Sequence, residues 1–191
     1  MAAGLAVVLP FVMLGPLSEH MLTHIVTMSV AAPLLATAWA WLWPERIAPS
    51  TALWAATALQ ILTLWVWHLP AAHHFASSSP AGTLAMHASL LITAIWFWLS
   101  LIRLPAIQQW QGILALLMTG KLACLLAALL VFAPRPILAH SHHHSASHAL
   151  DDQHLAGLLM IVACPASYVL AGVLMAVRLV GVTQTAEPRG Q

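Results

Sequence analysis

The sequence predicts an all-α protein: a polytopic membrane helix bundle of about six transmembrane helices, forming a single transmembrane domain over residues 1–191. Of its 191 residues 61% are hydrophobic and only 6% charged, whereas a domain dissolved in water carries about a quarter charged residues. The apolar residues gather in blocks, most of them near the ~20 residues needed to cross a hydrocarbon core. Backbone polar groups cannot stay unpaired in hydrocarbon, so blocks of this length must be helices.

The first block, Ala2–Leu17, is short and holds Pro10, which makes it a marginal span. It has neither a basic n-region nor an A-x-A site, so a removed signal peptide is not expected. Met21–Trp43, Thr51–Leu69, Ala85–Ile102, Trp110–Ala133 and Leu155–Val180 are the remaining blocks. One biased segment, HSHHHSASH at His140–His148, precedes the last of them. Cys124 and Cys164 both lie inside apolar stretches, which is not a disulfide framework. A net charge of +1 gives no argument for a nucleic-acid partner.

Orientation follows from the basic residues. If the spans alternate, Arg46, Arg103, Arg178 and Arg189 fall on one side, Arg135 on the other, and Lys121 in mid-span. The first side is expected to be cytoplasmic. Trp39, Trp41, Trp43, Trp54, Trp96, Trp98 and Trp110 would form the inner belt, with Trp65 and Trp67 marking the outer one.

Every one of the twelve histidines maps to the outer half. His20 and His24 begin the second block, within SEHMLTHIVTM (Ser18–Met28), four residues apart and so on one helix face. His68 closes the third block, His73 and His74 follow in a loop, His87 opens the fourth block and His154 the sixth. Neutral imidazole is the commonest metal ligand. Softer donors lie near: Met21, Met28, Met86, Met160 and Cys164. A mixed His/Met/Cys set favours copper, as Cu(I), over magnesium or calcium. No H-E-x-x-H motif points to a metalloprotease.

Each piece also has a plainer reading. A single histidine at a helix end is more often an interfacial polar residue, and a methionine more often packs a core or faces lipid. His140, His142, His143, His144 and His148 could form a solvated loop or a weak metal-capture loop. Two other classes stay open. A haem b protein would ligate iron with facing histidines such as His68 and His87, but deeper in the membrane. A metal or proton transporter would continue its ionisable residues through the membrane, where only Lys121 and Gln60 stand near mid-depth. A lysine at the bilayer centre costs at least ~3 kcal/mol, so Lys121 is expected to face the bundle interior, beside Gln60.

In chain order, HMLTHIVTMSVAAPLLA, WVWHLPAAHHFA, LAMHASLLITAIWFWLSLI, LLVFAPRPILAHS and DDQHLAGLLM together resemble the CtaG family of multi-span cytochrome c oxidase assembly proteins. The family's marked positions fall on His20 and His24, on Trp67, His68, Leu69 and Pro70, on His87, and on Asp152, Gln153, Ala156 and Gly157. The resemblance implies a non-enzymatic factor in the bacterial inner membrane, its histidine face periplasmic, maturing a haem-copper oxidase at the copper step. The expected site is a cup in which His20, His24, His68 and His87 hold Cu(I) and His154 completes or gates it. Asp151 and Asp152 would orient imidazole N–H groups. The expected partners are an oxidase subunit, a periplasmic copper donor and the surrounding lipid.

Overall fold

The computed structural model describes residues 14–44, 47–138 and 146–186, and among these it contains helices and no strand. The Ala2–Leu17 block falls almost wholly outside the described residues, as do His140, His142, His143, His144, Arg46 and Arg189. In order, the elements are α1 (Pro16–Val26), a π-turn (Thr27–Ala31), α2 (Ala32–Leu42), α3 (Ser50–Trp67), α4 (Pro70–Ser78), α5 (Pro80–Ile102), a 3-10 turn (Ala106–Gln108), α6 (Gln109–Phe132) and α7 (Ala146–Ala186). Among the described residues, five helical stretches are long and apolar enough to cross a membrane: Pro16–Leu42, Ser50–Trp67, Pro80–Ile102, Ala106–Phe132 and His148–Val180.

Several boundaries differ from the sequence reading, α1 starting at Pro16 rather than Met21 and α7 at Ala146 rather than Leu155, and two of the differences have local reasons. α5 begins five residues earlier than Ala85 because Ser79 caps it, its hydroxyl accepting from the Gly82 N–H at 3.0 Å, with Pro80 preset in the first turn. The segment expected as a loop after His68 is instead α4, started by Pro70 after the extended Leu69.

The helices alternate in direction. At one end Arg103 donates from Nη2 to the Trp43 carbonyl at 2.9 Å, and the Ala48 N–H donates to the Arg103 carbonyl at 3.1 Å. At the other end lie the starts of α1, α5 and α7 and the end of α3, so the described histidines gather there. α5 is central, packed on α2, α3 and α4, while α7 packs on α1 and most extensively on α6. Outward positions such as Leu34, Leu62, Ile92, Leu129 and Val162 are exposed, as lipid-facing residues should be.

The expected interior pairing of Lys121 with Gln60 is overturned. Gln60 is fully buried and donates from Nε2 to the Tyr168 hydroxyl at 2.7 Å, tying α3 to α7. Lys121 is exposed on the outer side of α6. The inward stripe of α6 runs through Ala115, Leu116, Thr119, Gly120 and Ala123, and position 121 falls beyond its edge.

Candidate metal centre

The centre starts from how α1 is held. Pro16 opens the helix after Gly15, which supplies no side-chain cap. The missing acceptor comes from α7. The Asp152 carboxylate takes the Leu17 N–H at 2.9 Å, the Ser18 N–H at 3.1 Å and the Ser18 hydroxyl at 2.5 Å. A Cβ at Gly15 would collide with that carboxylate, so the approach depends on glycine. With its first turn fixed, α1 stacks His20 and His24 one above the other, their Nε2 atoms 2.8 Å apart and ring centroids 4.3 Å apart.

Three further elements turn an imidazole toward this pair. His87 lies in the second turn of α5, its ring centroid 5.1 Å from that of His24 and 5.7 Å from that of His20. His68 stands at the C-cap of α3, 6.2 Å from His24. His73 lies on the buried face of α4, 5.3 Å from His20. The ligand nitrogens of His20, His24 and His87 all fall within 4.8 Å of one another. Nitrogens sharing one ion at bonds near 2 Å stand about 3.3 Å apart in tetrahedral geometry. At most 4.8 Å apart here, they stand within about 1.5 Å of that spacing.

The hydrogen bonds set the tautomers. The Nδ1 of His87 is 2.8 Å from the Thr83 carbonyl, and that of His68 is 2.7 Å from the Leu64 carbonyl. A carbonyl only accepts, so Nδ1 carries the proton in both rings and Nε2 presents a lone pair. This is the arrangement that metal-ligating histidines adopt. His68 Nε2 and His24 Nδ1 are both buried with no hydrogen-bond partner, a costly state unless something else engages them. Burial also pushes the His68 pKa below its ordinary value, against the opposing pull of the Leu64 carbonyl. Its neutral, ligating form is therefore favoured.

The other expected residues distribute unevenly. His154 is half-buried on α7 and makes no ring contact with the cluster among the described residues. Docking through Asp152 turns Gln153 and Ala156 inward and leaves His154 on the flank. Among the described residues Asp152 bonds no imidazole and caps α1 instead, and Asp151 is exposed and bonds no imidazole. Met21 and Met86 are buried in the core, each next in sequence to a cluster histidine yet pointing to another face. Met28, Met160 and Cys164 line a cavity of about 20 Å³ beneath His24, room for about one water. His148 is exposed in the first turn of α7. His73 was not among the expected ligands. Its signal was available: Pro70 can open a helix, and on that helix His73 and Ala76, three residues apart, share a face.

The remaining marked positions are architectural. Gln153 ties together the turn between α6 and α7, and a Cβ on Gly157 would press Val131 and the Ala127 carbonyl of α6. No match is found among curated proteins or solved structures. A family model described as cytochrome c oxidase caa3 assembly factor matches residues 2–181, nearly the whole chain. The chain belongs to the CtaG family of cytochrome c oxidase assembly factors.

Proposed function

We propose that this assembly factor binds Cu(I) as cargo in the imidazole cluster on the periplasmic side of the bacterial inner membrane and passes it to a haem-copper oxidase subunit. The observation that carries the reading is the convergence of His20, His24 and His87 nitrogens within 4.8 Å, beside a buried His68 Nε2 that has no partner. Imidazole nitrogens suit copper, and each of these comes from a different element or turn. A site assembled at helix ends can be loaded from water and opened by a docked partner, with ligands exchanged one at a time. His68 provides a further imidazole for such an exchange, and His73 stands beside the cluster. Nothing in the step requires a bond of a substrate to be broken, which fits a non-enzymatic factor.

Metal analysis and Cu(I) competition titration of anaerobically purified protein test the reading. One equivalent of copper is expected, with affinity reduced at least ~10-fold in His24→Ala, as loss of a ligand should exceed the 10–100-fold cost of losing an outer partner. His154→Ala should leave affinity unchanged. Copper-free protein that fails to take up Cu(I), or a Soret band in place of copper, would overturn it.

A further inference from the structure

Lys121 sits near the middle of α6, with roughly 17 Å of helix on either side at ~1.5 Å per residue. It is exposed, and it makes no hydrogen bond or ion pair among the described residues. It lies in a groove of about 690 Å³ between α6 and α7, whose other lining residues are almost all apolar. A lysine at this depth cannot reach the interface with its stem. The chain cannot neutralise it either. Its five side-chain carboxylates are Glu19, Glu45, Asp151, Asp152 and Glu187: the first, third and fourth lie within the first five residues of their spans, the other two lie outside the spans, and none stands at mid-span.

We propose that this groove is the seat of one transmembrane helix of a partner protein, a helix that carries an aspartate or glutamate at mid-membrane depth. Charge selects this occupant. A second copy of the chain packed symmetrically here would bring two Lys121 ammonium groups together. Residues 1–13 contain no carboxylate, so that segment would leave the charge unpaired. Lipid acyl chains would do the same. A carboxylate on a facing helix meets the ammonium directly, in a medium where neither is stable alone.

The floor of the groove suits a helix. Gly172 lines it, half-buried, and leaves backbone open to close approach, while Gly120, buried at its edge, adds no side chain to the groove. A Cβ on Gly120 would meet Tyr168 only at 3.7 Å, and one on Gly172 would meet Leu116 at 3.9 Å. These glycines are therefore not required by packing within the chain. By contrast, a Cβ on Gly157 in the same hairpin would press into Val131. The groove lies on α6 and α7, whereas the imidazole cluster is built on α1, α3, α4 and α5. A partner can therefore be held without covering the metal-binding end.

Photo-crosslinking in native membranes tests the proposal, with benzoylphenylalanine placed at Leu117 or Val169 in the groove and, as a control, at Leu34 on α2. Groove positions should capture a transmembrane peptide containing a mid-span Asp or Glu, and Leu34 should not. Lys121→Met should reduce capture about tenfold or more, while Lys121→Arg retains it. If Lys121→Met does not accumulate, Gly172→Leu fills the groove while keeping the charge, and should abolish capture at unchanged protein level. Capture of lipid only, of a second copy, or of a helix without a carboxylate overturns the proposal, as does capture indifferent to both substitutions. Cu(I) titration of the same purified variants separates the two readings: an intact copper site with no groove partner defeats only the groove.

Discussion

Asp152 offers the sharpest test of how the centre is built, because its carboxylate replaces the cap that Gly15 cannot supply. Asp152→Ala removes the acceptor for the Leu17 N–H and the Ser18 N–H, and leaves the Ser18 hydroxyl only the carbonyl of residue 152 at 3.1 Å. A lost side-chain cap costs about 0.5–2 kcal/mol and a hydrogen bond to a charged group about 1.5–3 kcal/mol. Three bonds to one half-buried carboxylate share that energy, and water can reach part of the helix end. A loss of about 2–4 kcal/mol is expected, which lowers the melting temperature by roughly 5–15 °C in a chain of this size. Asp152→Asn keeps an acceptor oxygen without the charge and should recover about half of the loss. The first turn of α1 also sets the position of His20, so metal affinity should fall in parallel with stability. The assay is thermal unfolding in detergent alongside Cu(I) titration for both variants. A carboxylate that oriented an imidazole would behave differently, losing affinity at an unchanged melting temperature. That pattern, or no change in either quantity, would refute the capping argument.

Gln153→Leu should be at least as damaging, about 3 kcal/mol or more. The buried amide accepts from the Ile137 N–H at 2.6 Å and donates to the Leu130 carbonyl at 3.1 Å, and leucine leaves both stranded; a melting temperature within ~2 °C of wild type would contradict this. For pH, the sign follows from His68 being buried with a lowered pKa. Below the unfolded value of about 6.5 the unfolded chain takes up the proton first, so stability falls as pH drops. Metal-free His68→Leu should show a shallower loss between about pH 6.5 and 5 than wild type, and parallel curves would remove His68 from the account. Changing His142, His143 and His144 together to serine should leave the melting temperature unchanged and reduce oxidase maturation only when copper is scarce. Loss of maturation at ample copper would place that segment in the principal site.

Bundle and candidate cluster were legible to different degrees. The spans could be read because lipid imposes one rule on every residue, so Thr51–Leu69 and Trp110–Ala133 recur as α3 and α6 with ends shifted by only one or two residues. The gathering of His20, His24, His68 and His87 could be read from a shared depth, since alternating helices bring equal depths to one end. What failed depended on azimuth, which depth does not fix. The mean depth of Lys121 and Gln60 was right, yet one faces outward and the other is fully buried. His154 has the expected depth and the wrong flank. Asp152 lay near histidines in the sequence, but the uncapped N-terminus of the neighbouring helix α1, far off in the chain, had the stronger claim on its carboxylate. That claim could be anticipated only by asking where the N–H groups behind Gly15-Pro16 would be satisfied.

The π-turn shows how azimuth is adjusted where it matters. The buried face of the first span runs Leu17, Met21, His24, Met28, Ala32, Ala36. Five turns at about 3.6 residues would bring Leu35, not Ala36, beneath Leu17, yet Leu35 is 48% exposed and Ala36 fully buried. The wider turn at Thr27–Ala31 takes up that residue, with the Ala32 N–H donating to the Thr27 carbonyl five residues back. In the same register the Met28 carbonyl would look to Pro33, which has no N–H to give. That carbonyl accepts instead from the Trp98 indole of α5 at 3.1 Å. Trp98 stacks on Tyr168, which takes the hydrogen bond from Gln60. The rotation that faces Ala32 and Ala36 against α5 is thus locked by a polar chain through three other helices, and it leaves His24 facing His87 above the turn. In an α-helix without the π-turn, packing Ala36 against α5 would swing the upper half by about 100°, and His20 and His24 would leave the cluster.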